Sequence, residues 1–169
     1  MATIHATVRF DAAGLFEDPA EAVLTDEHAV CSYGQPVLLV GGVPRGPAEV
    51  AGTVHPVYTL TPRAGEIVVT KRLPNSFAGT TLDEELKRLG RKELIVVGFM
   101  THMCVSATVR AALDHGYRCT MVASACASRD LPDGRGGVVS AAEVHRVELA
   151  ALGDRFAAVV ATAAELADR

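Results

Sequence analysis

One of the four cysteines in this 169-residue chain stands where a thiol could do chemistry. The apolar run Leu94–Phe99 reads as a buried strand, and Met100-Thr101-His102-Met103-Cys104-Val105-Ser106 follows it directly. Val105, Val109 and Ala112 then repeat at helical spacing until Gly116. That pattern predicts a helix over 103–115 with Cys104 in its first turn. Unpaired N–H groups and the positive end of the helix dipole favour a thiolate there. The same N–H groups could hold the oxyanion formed when a thiolate attacks a carbonyl. Position alone leaves two readings open, nucleophile and small buried hydrophobe. Lys71 follows the apolar run Ile67–Thr70, and its ammonium could stabilise that thiolate, although a solvated surface lysine fits as well. Asp11 closes the run Ile4–Phe10 and could serve as general base, or as a turn or helix-capping residue. Cys119 and Cys126 fall within or just after another apolar run and read as structural, and no C-x-x-C pair points to zinc or dithiol chemistry.

The elements that must position these groups alternate. Strands are expected at Ile4–Phe10, Pro36–Gly41, Ile67–Thr70, Leu94–Phe99, Cys119–Ala123 and Ala157–Val160. Most are continuously apolar, as suits strands covered on both faces. Between them Thr81 with Glu84, and Ser140 with Glu143, read as capping boxes that open helices. Strands alternating with helices imply a parallel sheet with right-handed crossovers, whose ligands bind beyond the carboxyl ends of the strands. Asp11, Lys71 and Cys104 all fall at that end. The Gly- and Pro-rich stretch 41–63 and the Pro132–Gly137 segment read as loops.

One domain over 1–169 accommodates all of this. Sixteen Lys and Arg against twenty Asp and Glu give a net charge of −4 with no basic cluster, which speaks against nucleic acid as a partner. No window is apolar enough for a membrane span, and the N-terminal residues lack a signal-peptide pattern. A cytoplasmic protein with free thiols and a small-molecule substrate is expected.

Three stretches carry a family resemblance: Lys71-Arg72-Leu73-Pro74-Asn75-Ser76-Phe77-Ala78-Gly79-Thr80, Val96-Val97-Gly98-Phe99-Met100-Thr101-His102-Met103-Cys104-Val105, and Ala111-Ala112-Leu113-Asp114-His115-Gly116-Tyr117. Together they resemble the isochorismatase-like cysteine hydrolases, densely from about His55 onward. The resemblance implies a doubly wound, six-stranded, Rossmann-like α/β sheet. It also implies an Asp-Lys-Cys triad acting on an amide or ureido carbonyl, carried here by Asp11, Lys71 and Cys104. A cis peptide before the nucleophile would fall at Phe99–Met100 and turn the amides of Met100 and Cys104 toward an oxyanion. Phe77 resembles the family's pocket-lining aromatic, Thr101 belongs to the signature around the nucleophile and is expected at the substrate, and a homo-oligomer is implied.

Residues 1–50 depart from the family pattern. Asp11, Phe16 and the Asp18-Pro19 pair keep its spacing, but the Gln-Asn element after the aspartate is missing and the stretch to Pro36 is short. A relative with a degraded triad, kept for ligand binding or as an oligomeric scaffold, is therefore the alternative to an active hydrolase. Nicotinamidase relatives carry an Asp and several His as metal ligands before the lysine, where this chain offers His55, so neither a metal nor another cofactor is expected. Cys104 argues against true isochorismatase activity, and Ser124 stands where relatives often carry an aspartate. His102 is expected to point away from the thiol, and His145 to cap a helix or face an interface.

Overall fold

The computed structural model describes residues 3–8, 37–42 and 67–166. Six strands, β1 (Thr3–Val8), β2 (Val37–Gly42), β3 (Ile67–Lys71), β4 (Glu93–Phe99), β5 (Arg118–Ala127) and β8 (Ala157–Val160), form one sheet in the order β3-β1-β2-β4-β5-β8. Every pairing in it is parallel. A two-residue antiparallel pair, β6 (Leu131–Pro132) with β7 (Val138–Val139), closes the loop after β5. The helices are α1 (Leu82–Arg88), α2 (Ser106–Asp114) and α3 (Ala141–Arg155). This is the α/β architecture expected from the alternation of apolar runs and amphipathic segments. Among the described residues no helix is long and apolar enough to cross a membrane.

Strand β4 shows why its sequence is apolar throughout. Leu94 and Val96 pack into one core with Val69, Cys119 and Met121, while Ile95 and Val97 pack into a second with Val122, Val160 and Leu166. Successive side chains leave a strand on opposite faces, so a strand covered on both sides needs apolar residues at every position. Helices α1, α2 and α3 serve the first core through Leu82, Leu86, Val109, Ala112 and Leu152. Leu152 is the one fully buried residue of α3, and burying such a side chain contributes about 2–3 kcal/mol.

The helix starts differ from one another. Ser140 caps α3 as the sequence predicts, its hydroxyl accepting from the Glu143 N–H. Thr81 makes no side-chain cap for α1, because its backbone (φ −88°, ψ 8°) is not extended. Thr80 takes that role instead, accepting from the Leu82 N–H and donating to the Ser76 carbonyl. Gly90, at φ +64°, provides the left-handed residue that ends this segment.

Two features of the sheet bear on the chemistry. Between β4 and β5 the register jumps from Val96↔Met121 to Gly98↔Cys126, so β5 bulges and runs on to Ala127, well past the end expected from sequence. In addition, β1 lies between β3 and β2, so that β2 separates it from β4. At strand spacing, the end of β1 is thus roughly 10 Å across the sheet from β4.

Candidate active site

Cys104 does not occupy an ordinary first helical turn. Thr101–Val105 form a π-helical turn, in which the Val105 N–H donates across five residues to the Met100 carbonyl at 3.2 Å. The Met103 N–H shares that carbonyl at 3.0 Å, so both neighbours of Cys104 spend their N–H groups on Met100. Such single π turns are often found at functional sites. The sequence anticipated a helix here but not its widened first turn, since nothing in local spacing separates five-residue from four-residue bonding. Cys104 itself is 4% exposed.

Lys71 ends β3 and is 1% exposed, not the solvated lysine that its charge alone suggests. Its ammonium donates to the carbonyls of Leu73 (3.0 Å) and Pro74 (2.9 Å) and lies near the side chain of Cys104. Two of its three N–H donors thus go to backbone carbonyls. Burial pulls the Lys71 pKa down, while the charge and hydrogen bond of Cys104 pull it back up. The other two described cysteines differ. Burial pushes Cys119 and Cys126 up to about 12, which keeps both as inert thiols at neutral pH, as expected for structural positions.

The loop that presents those two carbonyls is held by residues the sequence reading passed over. Thr108, one turn beyond Cys104, accepts from the Ser76 N–H at 3.1 Å and donates to the Ser76 hydroxyl at 2.9 Å. Asn75 closes an Asx turn by accepting from the Phe77 N–H. The helix that carries the sulfur therefore also anchors the loop that positions the ammonium. Ordinary helix spacing gives no signal for Thr108, whose partner lies 32 residues away.

The other expected site residues take the following places among the described residues. Phe77 is buried, its ring stacked on His115 (4.6 Å between centroids) and Tyr117 (5.8 Å) beyond the far end of α2, so the ring serves the core. Thr101 is fully buried, and its hydroxyl donates to the Ala127 carbonyl at 2.9 Å, so it has no proton left for a substrate. Its hydroxyl also meets His145 Nδ1 at 2.8 Å, so His145 joins the turn that carries Cys104 and the cap of α3 is left to Ser140. His102 Nδ1 bonds Ser128, while its buried Nε2 has no partner among the described residues. Met100 is extended (φ −84°, ψ 142°) and leads from β4 into the turn. The side chain of Phe99, and Asp11 altogether, lie outside the described residues. The described part of β1 ends at Val8, level with Lys71 and three residues before Asp11.

Comparison with known proteins bears on the family resemblance. The family model of the isochorismatase domain matches residues 44–164. The chain belongs to the isochorismatase family. YddQ, an isochorismatase-family protein of Bacillus subtilis (strain 168), is 39% identical over 140 residues, covering 79% of this chain and 76% of its own. The crystal structure of an isochorismatase from Pseudomonas putida KT2440 superposes with a TM-score of 0.64 at 43% identity, over 78% of this chain and 68% of that one. The ureidoacrylate amidohydrolase RutB of Variovorax paradoxus (strain S110) is 33% identical over 92 residues, which is 54% of this isochorismatase-family chain and 34% of RutB. The family match covers Lys71 and Cys104 and begins after Asp11.

Burial lowers the pKa of His145, and it lowers that of His102, where the Arg129 charge adds to the effect and Glu148 opposes it. A histidine whose folded pKa lies below its unfolded value of about 6.5 binds its proton more readily in the unfolded chain. Stability is therefore fully present above pH 6.5 and declines as pH falls toward the folded values. Melting temperature is expected to drop between pH 7.5 and pH 5, and less so in the His102→Gln/His145→Asn double variant. Equal slopes in the two proteins would refute this assignment.

Proposed function

We propose that the chain hydrolyses a small amide- or ureido-type C–N bond through a thioester on Cys104. The observation that carries this reading is the buried Lys71 ammonium, held by the Leu73 and Pro74 carbonyls beside the buried Cys104 side chain. Burying a lysine is costly unless its charge is matched, and a thiolate is the partner that matches it. The Cys104 sulfur attacks the carbonyl carbon, and the C=O electron pair moves onto oxygen. The N–H groups of Cys104 and Met100 are the proposed oxyanion donors. On collapse the C–N bond breaks, the nitrogen takes the proton that came from the thiol, and water later cleaves the thioester to a carboxylate and free Cys104. Asp11 is the proposed carrier of that proton, completing a triad with Lys71 and Cys104. The amidohydrolase name of RutB supports the choice of bond.

A second reading is favoured by one observation, that the family match leaves out residues 1–43 and Asp11 with them. In it the chain binds a small ligand, or serves as an oligomeric scaffold, without turnover. Alkylation separates the two. Iodoacetamide is expected to modify Cys104 faster than a model thiol at pH 7, and turnover of a panel of small amides and ureides is expected to fall on Asp11→Asn. A Cys104 no more reactive than the model thiol would leave the binding reading standing.

A further inference from the structure

We propose that His145 is a positioning residue for the nucleophile, acting through Thr101 from a helix 41 residues beyond Cys104 in the chain. The proposal rests on Cys104 being the nucleophile, and it assigns a role to α3 in the same site. The argument is one of proton accounting. The Thr101 hydroxyl has a single proton, and it goes to the Ala127 carbonyl, which can only accept. The contact between Thr101 Oγ1 and His145 Nδ1 at 2.8 Å therefore needs its proton from the imidazole. His145 must carry hydrogen on Nδ1, and the depressed pKa of this partly buried ring makes it the neutral Nδ1–H form at pH 7.

The clamp joins three elements at one hydroxyl. Thr101 opens the π turn that carries Cys104, Ala127 ends the bulged strand β5, and His145 lies on the second turn of α3. The Thr101 carbonyl in turn accepts from the Ser106 N–H, the first residue of α2. Fixing Thr101 thus fixes both the start of the turn and its junction with α2. Cys104, between those two points, is held where Lys71 reaches it. The bulge has a purpose in this account, because a β5 that stopped at Ala123 would present no carbonyl to Thr101.

The test measures alkylation of Cys104 by iodoacetamide at pH 7 in the full chain, resolved from the other cysteines by peptide mass, together with melting temperature. His145→Ala and Thr101→Val are expected to slow the reaction about tenfold, as the turn loses its anchor and Cys104 its registration with Lys71. His145→Asn places an N–H donor at the same number of bonds from the backbone and is expected to restore the rate to within about twofold of wild type. Val147→Ala, on the exposed side of the same helix, should leave it unchanged. A residue that only stabilised α3 would lower the melting temperature in the alanine variant without changing the alkylation rate. An unchanged or faster rate in His145→Ala, or an asparagine variant as slow as alanine, overturns the proposal. Nitrogen-15 NMR gives an independent reading that does not depend on Cys104 being reactive: His145 Nδ1 is expected to be protonated at pH 7, and a bare Nδ1 would refute the clamp.

Discussion

Cys104→Ala is expected to reduce hydrolysis of any amide or ureide substrate by at least roughly 10³-fold in kcat, with the folded chain intact. The substitution removes one sulfur from a site where the residue is almost wholly buried, so the loss of packing is small. What disappears is the electron pair that forms the thioester, and no other described cysteine replaces it, since burial pushes both Cys119 and Cys126 up to about 12. Cys104→Ser sharpens the test: a hydroxyl has nearly the thiol's shape but gives up its proton far less readily beside Lys71, so activity should stay near the alanine level. Steady-state rates with melting curves on the same samples give the answer. A Cys104→Ala chain that turns over substrate at the wild-type rate would end the thioester mechanism.

Lys71→Met should be nearly as damaging, by about 10²-fold or more in kcat, with a much smaller change in stability. The methionine fills most of the same volume but takes the ammonium donor away from the carbonyls of Leu73 and Pro74, which costs about 1–3 kcal/mol for a carbonyl left unpaired. Removal of a buried charge offsets much of that cost. Catalysis has no such offset, because the proposed nucleophile loses the ammonium beside it. Lys71→Arg is not expected to rescue, since a planar fork cannot reproduce three divergent donors in a fully enclosed site. With the Lys71 pKa held below 10.5 by burial, the ammonium is lost before a surface lysine would be. The activity profile should therefore fall on its alkaline side below pH 10.5. A Lys71→Met variant with wild-type kcat, or one that fails to fold while Lys71→Arg is active, would show that the lysine is there for structure alone.

The second core depends on alternate positions of β4 that look no different in sequence from those of the first. Even so, the apolar runs placed all six strands of the sheet to within a few residues, because burial on both faces leaves no room for polar positions. The exception was β5. A bulge adds residues without changing the apolar character of the run, so the strand's extension to Ala127 had no local signal. The strand order is of the same kind. Each of β1 and β2 reads as a buried strand, yet which one borders β4 depends on how the connections cross the sheet, and the structure gives that place to β2.

The site divides along the same line. Residue type and place at a strand end made Lys71 and Cys104 candidates but left a surface lysine and a structural cysteine open, and the family resemblance chose between the readings. Sequence alone could not tell that Lys71 is enclosed, that Cys104 rests on a π turn, or that Phe77 packs with His115 and Tyr117. Nor could it pair Thr108 with Ser76 or His145 with Thr101, contacts spanning 32 and 44 residues. Which groups can react is set by their chemistry and is written in the residues. Which are held in place to react is set by hydrogen bonds between distant segments, and those exist only once the sheet has brought the segments together.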